Sequence, residues 1–121
     1  MELRSLQALA LRVGEAVSLD DVFQRIVEGL AAESEVALAR VWLTRPGDSC
    51  ESCGMRLECP NQSLCLHLVA SAGTPADSAE DWSYLEGHFR RIPLGSRKVG
   101  QIGASGASVL ISADLPASHW I

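Results

Sequence analysis

Hydrophobic residues recur at helical spacing over the first 31 positions of the chain. Two such apolar faces are separated by Ser18, Leu19, Asp20 and Asp21, a sequence that is typical of a helix start because the hydroxyl caps free amides and the carboxylates lie at the positive end of the helix dipole. The pattern therefore predicts two amphipathic helices. The apolar face of the first helix needs a partner and consists of Leu3, Leu6, Leu9, Ala10, Val13 and Ala16. The buried face of the second would consist of Val22, Phe23, Ile26, Val27, Leu30 and Ala31.

Short runs of strand-forming residues dominate the rest of the chain. Residues 36–44 alternate in facing and predict a strand, and residues 45–48 carry the proline and glycine of a turn. Further strands are predicted at residues 66–72, 89–94 and 108–112, with a short helix at residues 99–106 that a glycine closes. The polar residues 74–86 are expected to form a surface connection. The predicted order is helix, helix, three strands, helix and strand.

Composition and charge narrow the class of protein. The chain has 121 residues, of which 47% are hydrophobic and 21% charged, which is the balance of one folded domain. The net charge is -5 and the single lysine is Lys98, so we expect neither direct nucleic-acid binding nor attachment to an anionic membrane. No stretch resembles a membrane span or a secretory signal, which leads us to expect a cytoplasmic protein.

All four cysteines lie within sixteen residues, at Cys50, Cys53, Cys59 and Cys65. Spacings of two, five and five residues allow four sulfur atoms to converge on one centre. Thiolates are soft ligands that suit zinc or an iron-sulfur cluster, and a reducing cytosol makes a structural disulfide less expected than a metal. We favour a structural zinc ion, which would fasten a loop too polar to pack by itself; a 4Fe-4S cluster, a dithiol switch and four unliganded thiols stay open.

Other candidate site residues have simpler interpretations. His67 lies two residues after Cys65 and so on the same strand face, where it could replace a ligand or bond to a thiolate, although a structurally partnered histidine is the commoner role. His88 and His119 lack a neighbouring nucleophile pattern. Packing and helix closure explain three glycines better than phosphate binding does. Two arginines could face a ligand pocket, although a solvated strand edge is the commoner role. These residues are Gly100, Gly103, Gly106, Arg90 and Arg91.

The order of elements and two stretches resemble the GAF domain family of sensory modules. The stretches are residues 18–30, before the first strand, and residues 94–111, a short helix and glycine turn that precede a strand leading to Asp114. The resemblance implies an α+β fold, with helices packed on a central antiparallel sheet whose last strands and closing helix are missing here. The cysteine-rich insertion at residues 48–66 resembles the variant at the front of bacterial transcription activators, sensor kinases and nucleotide cyclases.

This resemblance implies a non-catalytic sensory or regulatory domain, formed by residues 1–121 at the front of a longer regulator. The expected partners are an output domain of the same polypeptide and a second copy that pairs through the N-terminal helix. An iron-sulfur or thiol centre would make the domain a redox sensor. Some GAF-fold proteins reduce free methionine sulfoxide with thiols, but a metal that holds all four sulfurs would quench that reactivity. A dimerisation module without a ligand is the remaining alternative.

Overall fold

A computed structural model of the chain describes residues 1–59, 63–74, 83, 85–87 and 89–111. These residues form three α-helices, a 3-10 turn at Arg56–Glu58 and one antiparallel sheet of strand order β1-β2-β3, so the α+β class is confirmed. The helices are α1 (Leu3–Gly14), α2 (Leu19–Ala31) and α3 (Arg97–Ser105), and the strands are β1 (Leu38–Pro46), β2 (Leu64–Gly73) and β3 (Arg91–Pro93). Contacts divide the chain into two compact units, residues 1–42 with 68–85 and residues 43–67 with 86–121.

The first unit contains the two N-terminal helices that the hydrophobic pattern predicts. The Ser18 hydroxyl accepts a hydrogen bond from the Asp21 amide at 3.1 Å, and the Asp21 carboxylate accepts one from the Val17 amide at 3.2 Å. The expected cap of α2 is therefore confirmed. Arg25 connects the helices, because its guanidinium bonds Asp21 on α2 and the Arg12 carbonyl at the end of α1.

The core of the first unit is small and is built around Val27 of α2. Val27 packs with Ala70 and Ala72 of β2, and partly buried hydrophobic residues surround them. Small residues let the elements approach closely: a side chain at Gly29 would collide with Leu9, and one at Gly73 with the Ala37 carbonyl. Gly73 has a φ of 142°, a conformation that favours glycine.

The second unit is organised by the pairing of β2 with β3. Cys65 lies opposite Pro93, Leu66 opposite Ile92 and His67 opposite Arg91 in an antiparallel register. Because strand side chains alternate in facing, Leu66 and Ile92 point to one face and the other two pairs to the opposite face. Leu66 and Ile92 are both buried.

Helix α3 packs beside this pair of strands through its glycines. A side chain at Gly100 would collide with the Pro93 carbonyl, and one at Gly103 would press on Leu66. Gly106 ends the helix in the left-handed conformation, with a φ of 71°. The expected roles of these glycines in packing and closure are therefore confirmed.

Several predicted boundaries differ from the structure. The turn expected at residues 45–48 is wrong, since β1 continues through Pro46. The strand expected at residues 108–112 is wrong for residues 108–111, which adopt no regular structure. Leu110 there is 98% exposed, so no strand or core within the described residues covers its side chain. Ser112, Asp114 and most of residues 74–86 lie outside the described residues. None of the helices in the described part of the chain has the length and hydrophobicity that crossing a bilayer requires.

Candidate functional site

The cysteine loop, residues 47–63, connects β1 to β2. A hydrogen bond of 3.2 Å from the Gly47 amide to the Ser63 carbonyl closes its base. Consecutive tight turns fold the described part of the loop, with backbone bonds from Cys53 to Cys50, from Arg56 to Cys53 and from Cys59 to Arg56. Local backbone bonding therefore shapes this part of the loop and sets the positions of its three cysteines.

All four cysteines line one cavity. Cys50, Cys53 and Cys59 reach it from the loop and are half-buried, whereas Cys65 reaches it from β2 and is buried. No disulfide joins any of these four described residues. The cavity has a volume of about 20 Å³, counted as the space in which the centre of a water molecule fits. Since one water needs roughly 10–15 Å³ by this measure, the cavity has room for about one small particle.

The sulfur atoms are close enough to influence one another electrostatically. Burial raises the pKa of the Cys65 thiol, and negative charge on Asp48, Cys50 or Cys53 raises it further, whereas the Arg91 guanidinium lowers it. The four cysteines that the spacing groups together thus line the same cavity. However, within the described ranges no three His, Cys, Asp or Glu side chains form a preassembled metal-binding group.

Asp48 at the start of the cysteine loop is paired with Arg91 of β3. Two hydrogen bonds of 2.9 Å join the guanidinium to the two carboxylate oxygens. This pairing lowers the pKa of Asp48 well below its ordinary value and raises that of Arg91. Arg91 has the pocket-facing position and not the solvated edge that we considered commoner, since its side chain is only 20% exposed and lines the cysteine cavity.

Glu58 near the end of the described loop has a similar partner in Arg97. The Arg97 guanidinium donates two hydrogen bonds of 3.1 and 2.9 Å to the Glu58 carboxylate, which also accepts one of 2.6 Å from the Ser96 hydroxyl. These donors lower the pKa of Glu58. Arg97 has a φ of 59° and lies 5.5 Å from the centre of the Phe89 ring. The loop is thus attached to α3 as well as to β3.

Met55 gives the cysteine loop an apolar anchor of its own. Its side chain is 2% exposed, whereas Leu57, two positions later, is fully exposed. The loop therefore has one buried apolar residue in addition to its two ion pairs. Nothing in the spacing of these two apolar residues distinguishes the buried one from the exposed one.

His67 has the structurally partnered role that we considered the commoner one. Its Nε2 lies 3.0 Å from the Pro46 carbonyl oxygen and donates to it, and its Nδ1 lies 4.0 Å from Asp48. The ring is buried, and burial together with the Arg91 charge lowers its pKa. His67 is not among the residues that line the cysteine cavity. His88 and His119 lie outside the described residues.

A second, more open cavity borders the same loop. It has a volume of about 160 Å³ and is lined by Ser52, Cys53, Gly54, Glu86, Gly87 and Arg90. Arg90 and Glu86 form an ion pair of 3.3 Å at its wall. Cys53 lines both cavities, so it is the cysteine that this second cavity makes accessible.

Comparison with known proteins supplies no family. No family model, curated protein or solved structure matches the chain. Function must therefore be argued from the cysteine cavity and from the resemblance that the sequence carries.

Proposed function

We propose that this chain is a non-catalytic sensory or regulatory domain whose four cysteines bind one zinc ion. The observation that carries the proposal is the single cavity that Cys50, Cys53, Cys59 and Cys65 share. Four soft sulfur donors suit zinc, and four protein ligands leave no open position for a reactive water. The ion would have a structural and regulatory role in such a closed site.

The atoms around the cavity support an ion of this kind. The Ser49 hydroxyl oxygen is buried beside the cysteines and has no hydrogen-bond partner in the described ranges. A metal-bound thiolate is a good acceptor for such a hydroxyl. Sulfur donors suit zinc and a 4Fe-4S cluster alike, so the metal content of the protein decides between the two.

Binding would require rotation of the cysteine side chains, since the sulfurs are not preassembled into a ligand set. Each cysteine can change between staggered rotamers at its single side-chain torsion. Zinc binding also requires loss of the thiol protons, so it couples the loop to metal availability and to pH. With three ligands in the loop and one in β2, the ion would connect the loop directly to the sheet.

Metal content and ligand chemistry test the proposal. We expect anaerobically purified protein to contain about one zinc per chain, without visible absorption, and X-ray absorption at the zinc edge to report only sulfur ligands. Cys59→Ser should lower the zinc content, whereas Ser52→Ala, a control in the same loop, should keep it. A brown protein that contains iron would show that the site binds a cluster and not zinc. Unchanged zinc binding in Cys59→Ser would exclude the four-cysteine site.

A thiol redox switch is the second candidate, favoured by the position of Cys53 between the two cavities. A disulfide such as oxidised glutathione would accept two electrons from Cys50 and Cys53 through a mixed disulfide on Cys53, and would leave as two thiols. Mass spectrometry should then show a loss of two hydrogens from the chain. Failure of the metal-free protein to form this disulfide would exclude the switch.

We also propose two partners for this domain. The resemblance to GAF domains supports an output domain on the same polypeptide, and the exposed leucines of α1 support a second copy as the partner of that helix. Leu3, Leu6 and Leu11 are each more than half exposed. Light scattering should give a dimer mass that the Leu3→Glu, Leu6→Glu double variant halves; an unchanged mass would exclude pairing through α1.

A further inference from the structure

Charge balance at the cysteine cavity requires positive groups that the four cysteines cannot supply. A zinc ion with four thiolates has a net charge of about -2, and an uncompensated charge in a poorly solvated site is costly. Two guanidinium groups, Arg56 and Arg91, line the same cavity as the cysteines. Asp48 also lines the cavity, and its carboxylate offsets one of these two positive charges, so Arg56 and Arg91 compensate about half of the charge of a zinc tetrathiolate.

We infer that Arg56 and Arg91 are the counter-charges of the proposed zinc site and that Arg91 contributes more to its affinity than Arg56 does. This inference rests on the proposed function and deepens it, since it identifies protein groups outside the ligand set that would determine how tightly zinc is held. Groups that hydrogen-bond to metal ligands commonly change metal affinity by about 10–100-fold when they are removed.

Arg91 is favoured because its position is fixed by three independent features. The strand register places it opposite His67 and diagonal to Cys65 on the cavity face of β3. The Asp48 carboxylate accepts hydrogen bonds from Nε and Nη2 of Arg91, and the Arg90 carbonyl accepts one of 3.1 Å from its Nη1. A guanidinium has five N–H donors, so these three bonds leave about two donors for sulfur acceptors.

Arg56 is held more weakly. The one hydrogen bond described for its side chain runs from Nη1 to the Glu51 carbonyl at 3.3 Å, and the residue is exposed. Water screens an exposed charge more than a half-buried one, so Arg56 should contribute less to zinc affinity than Arg91 does.

Arg97 offers a matched control for Arg91. Both arginines form a two-bond pair with a carboxylate of the cysteine loop, Arg91 with Asp48 and Arg97 with Glu58. Only Arg91 is among the residues that line the cysteine cavity. Removal of either arginine frees one loop attachment, but only removal of Arg91 takes a positive charge away from the sulfurs.

The test is a competition titration with a zinc chelator at fixed pH on anaerobically prepared protein. We expect Arg91→Gln to weaken zinc binding about 10–100-fold, Arg91→Lys to restore most of that loss because it keeps the charge, and Arg97→Gln to stay within about threefold of the parent. Asp48→Asn removes a negative charge from the lining of the cavity and keeps the charge of Arg91, so it should bind zinc at least as tightly as the parent.

The outcomes separate this inference from the proposed function. Parent-like affinity in Arg91→Gln, equal losses in Arg91→Gln and Arg97→Gln, or no rescue by lysine would overturn the role of Arg91 and leave the zinc site standing. If Arg91→Gln does not fold, weaker zinc binding by Asp48→Asn overturns the role and equal or tighter binding supports it. A parent protein that takes up no zinc would overturn the proposed function and this inference with it.

Discussion

Arg91 donates two hydrogen bonds to Asp48, from Nε to Oδ1 and from Nη2 to Oδ2, each 2.9 Å long. The pair joins residues 43 positions apart and attaches the first residues of the cysteine loop to β3. Charge-assisted bonds in this two-bond geometry are stronger and more specific than single ones. An arginine from another part of the chain therefore holds the loop two residues before Cys50.

Asp48→Asn should loosen the start of the loop with a modest cost to the fold. Because the Asp48 side chain is half exposed, we expect a loss of about 0.5–1 kcal/mol in the free energy of unfolding. Hydrogen exchange should rise most at residues 48–53. Glu86→Gln, which removes the exposed pair with Arg90, is the control and should leave that exchange unchanged. Equal exchange in the two variants would show that the Asp48 pair does not hold the loop.

Met55 should matter far more to stability than its neighbour Leu57. Met55→Ala removes a side chain that is 2% exposed and should cost about 2–5 kcal/mol in urea unfolding, whereas Leu57→Ala removes an exposed one and should stay within about 0.5 kcal/mol. The two substitutions lie in the same loop, so local composition does not separate them. Similar losses would contradict the role of Met55 as the apolar anchor.

Two glycine substitutions should have opposite signs. A methyl group at Gly100 would collide with the Pro93 carbonyl oxygen, so Gly100→Ala should lower stability by about 1–3 kcal/mol. Nothing lies within 4 Å of the added carbon at Gly14, where alanine favours the helix and should raise stability by up to about 1 kcal/mol. Thermal unfolding measures both. A stabilising Gly100→Ala would mean that α3 is not packed tightly on β3.

The Glu58 attachment should be sensitive to acid. Its folded pKa lies below the ordinary value of 4.5, so its contribution to stability is complete above about pH 4.5 and is lost as the pH falls through the lowered folded value. The Nε–H signal of Arg97 in NMR spectra should change over that lower range and should lack this transition in Glu58→Gln. Glu51→Gln, in the same loop, should retain it. An Arg97 signal that does not respond to acid would contradict the pairing.

The helices could be predicted from the sequence because their determinants are local. Ser18 and Asp21 are three positions apart and mark the start of α2 by themselves. The strand expected at residues 108–112 was wrong for residues 108–111 for the opposite reason. Strand propensity is a property of the residues themselves, whereas a strand also requires hydrogen bonds to a neighbouring strand. Val109 and Leu110 are both exposed where a partner strand would cover them.

The candidate site could be predicted in part. Spacing indicated that Cys50 and Cys53 lie near the two later cysteines, because close positions along the chain limit how far apart the sulfurs can be, and all four line one cavity. The ion pairs that attach the loop join residues 43 and 39 positions apart, and no local pattern specifies them. The sequence shows only that two acidic and two basic residues are present. Such charges are explained equally well by solvation at the surface until the register of β3 is known.

The most direct test of the central claim is the zinc content of the anaerobically purified parent protein compared with Cys59→Ser, measured by mass spectrometry of the metals together with a thiol titration under denaturing conditions. We predict about one zinc per parent chain, with four reduced thiols, and a large loss of zinc in the variant. A parent chain that has four reduced thiols and remains free of zinc and iron after metal loading would contradict the proposal.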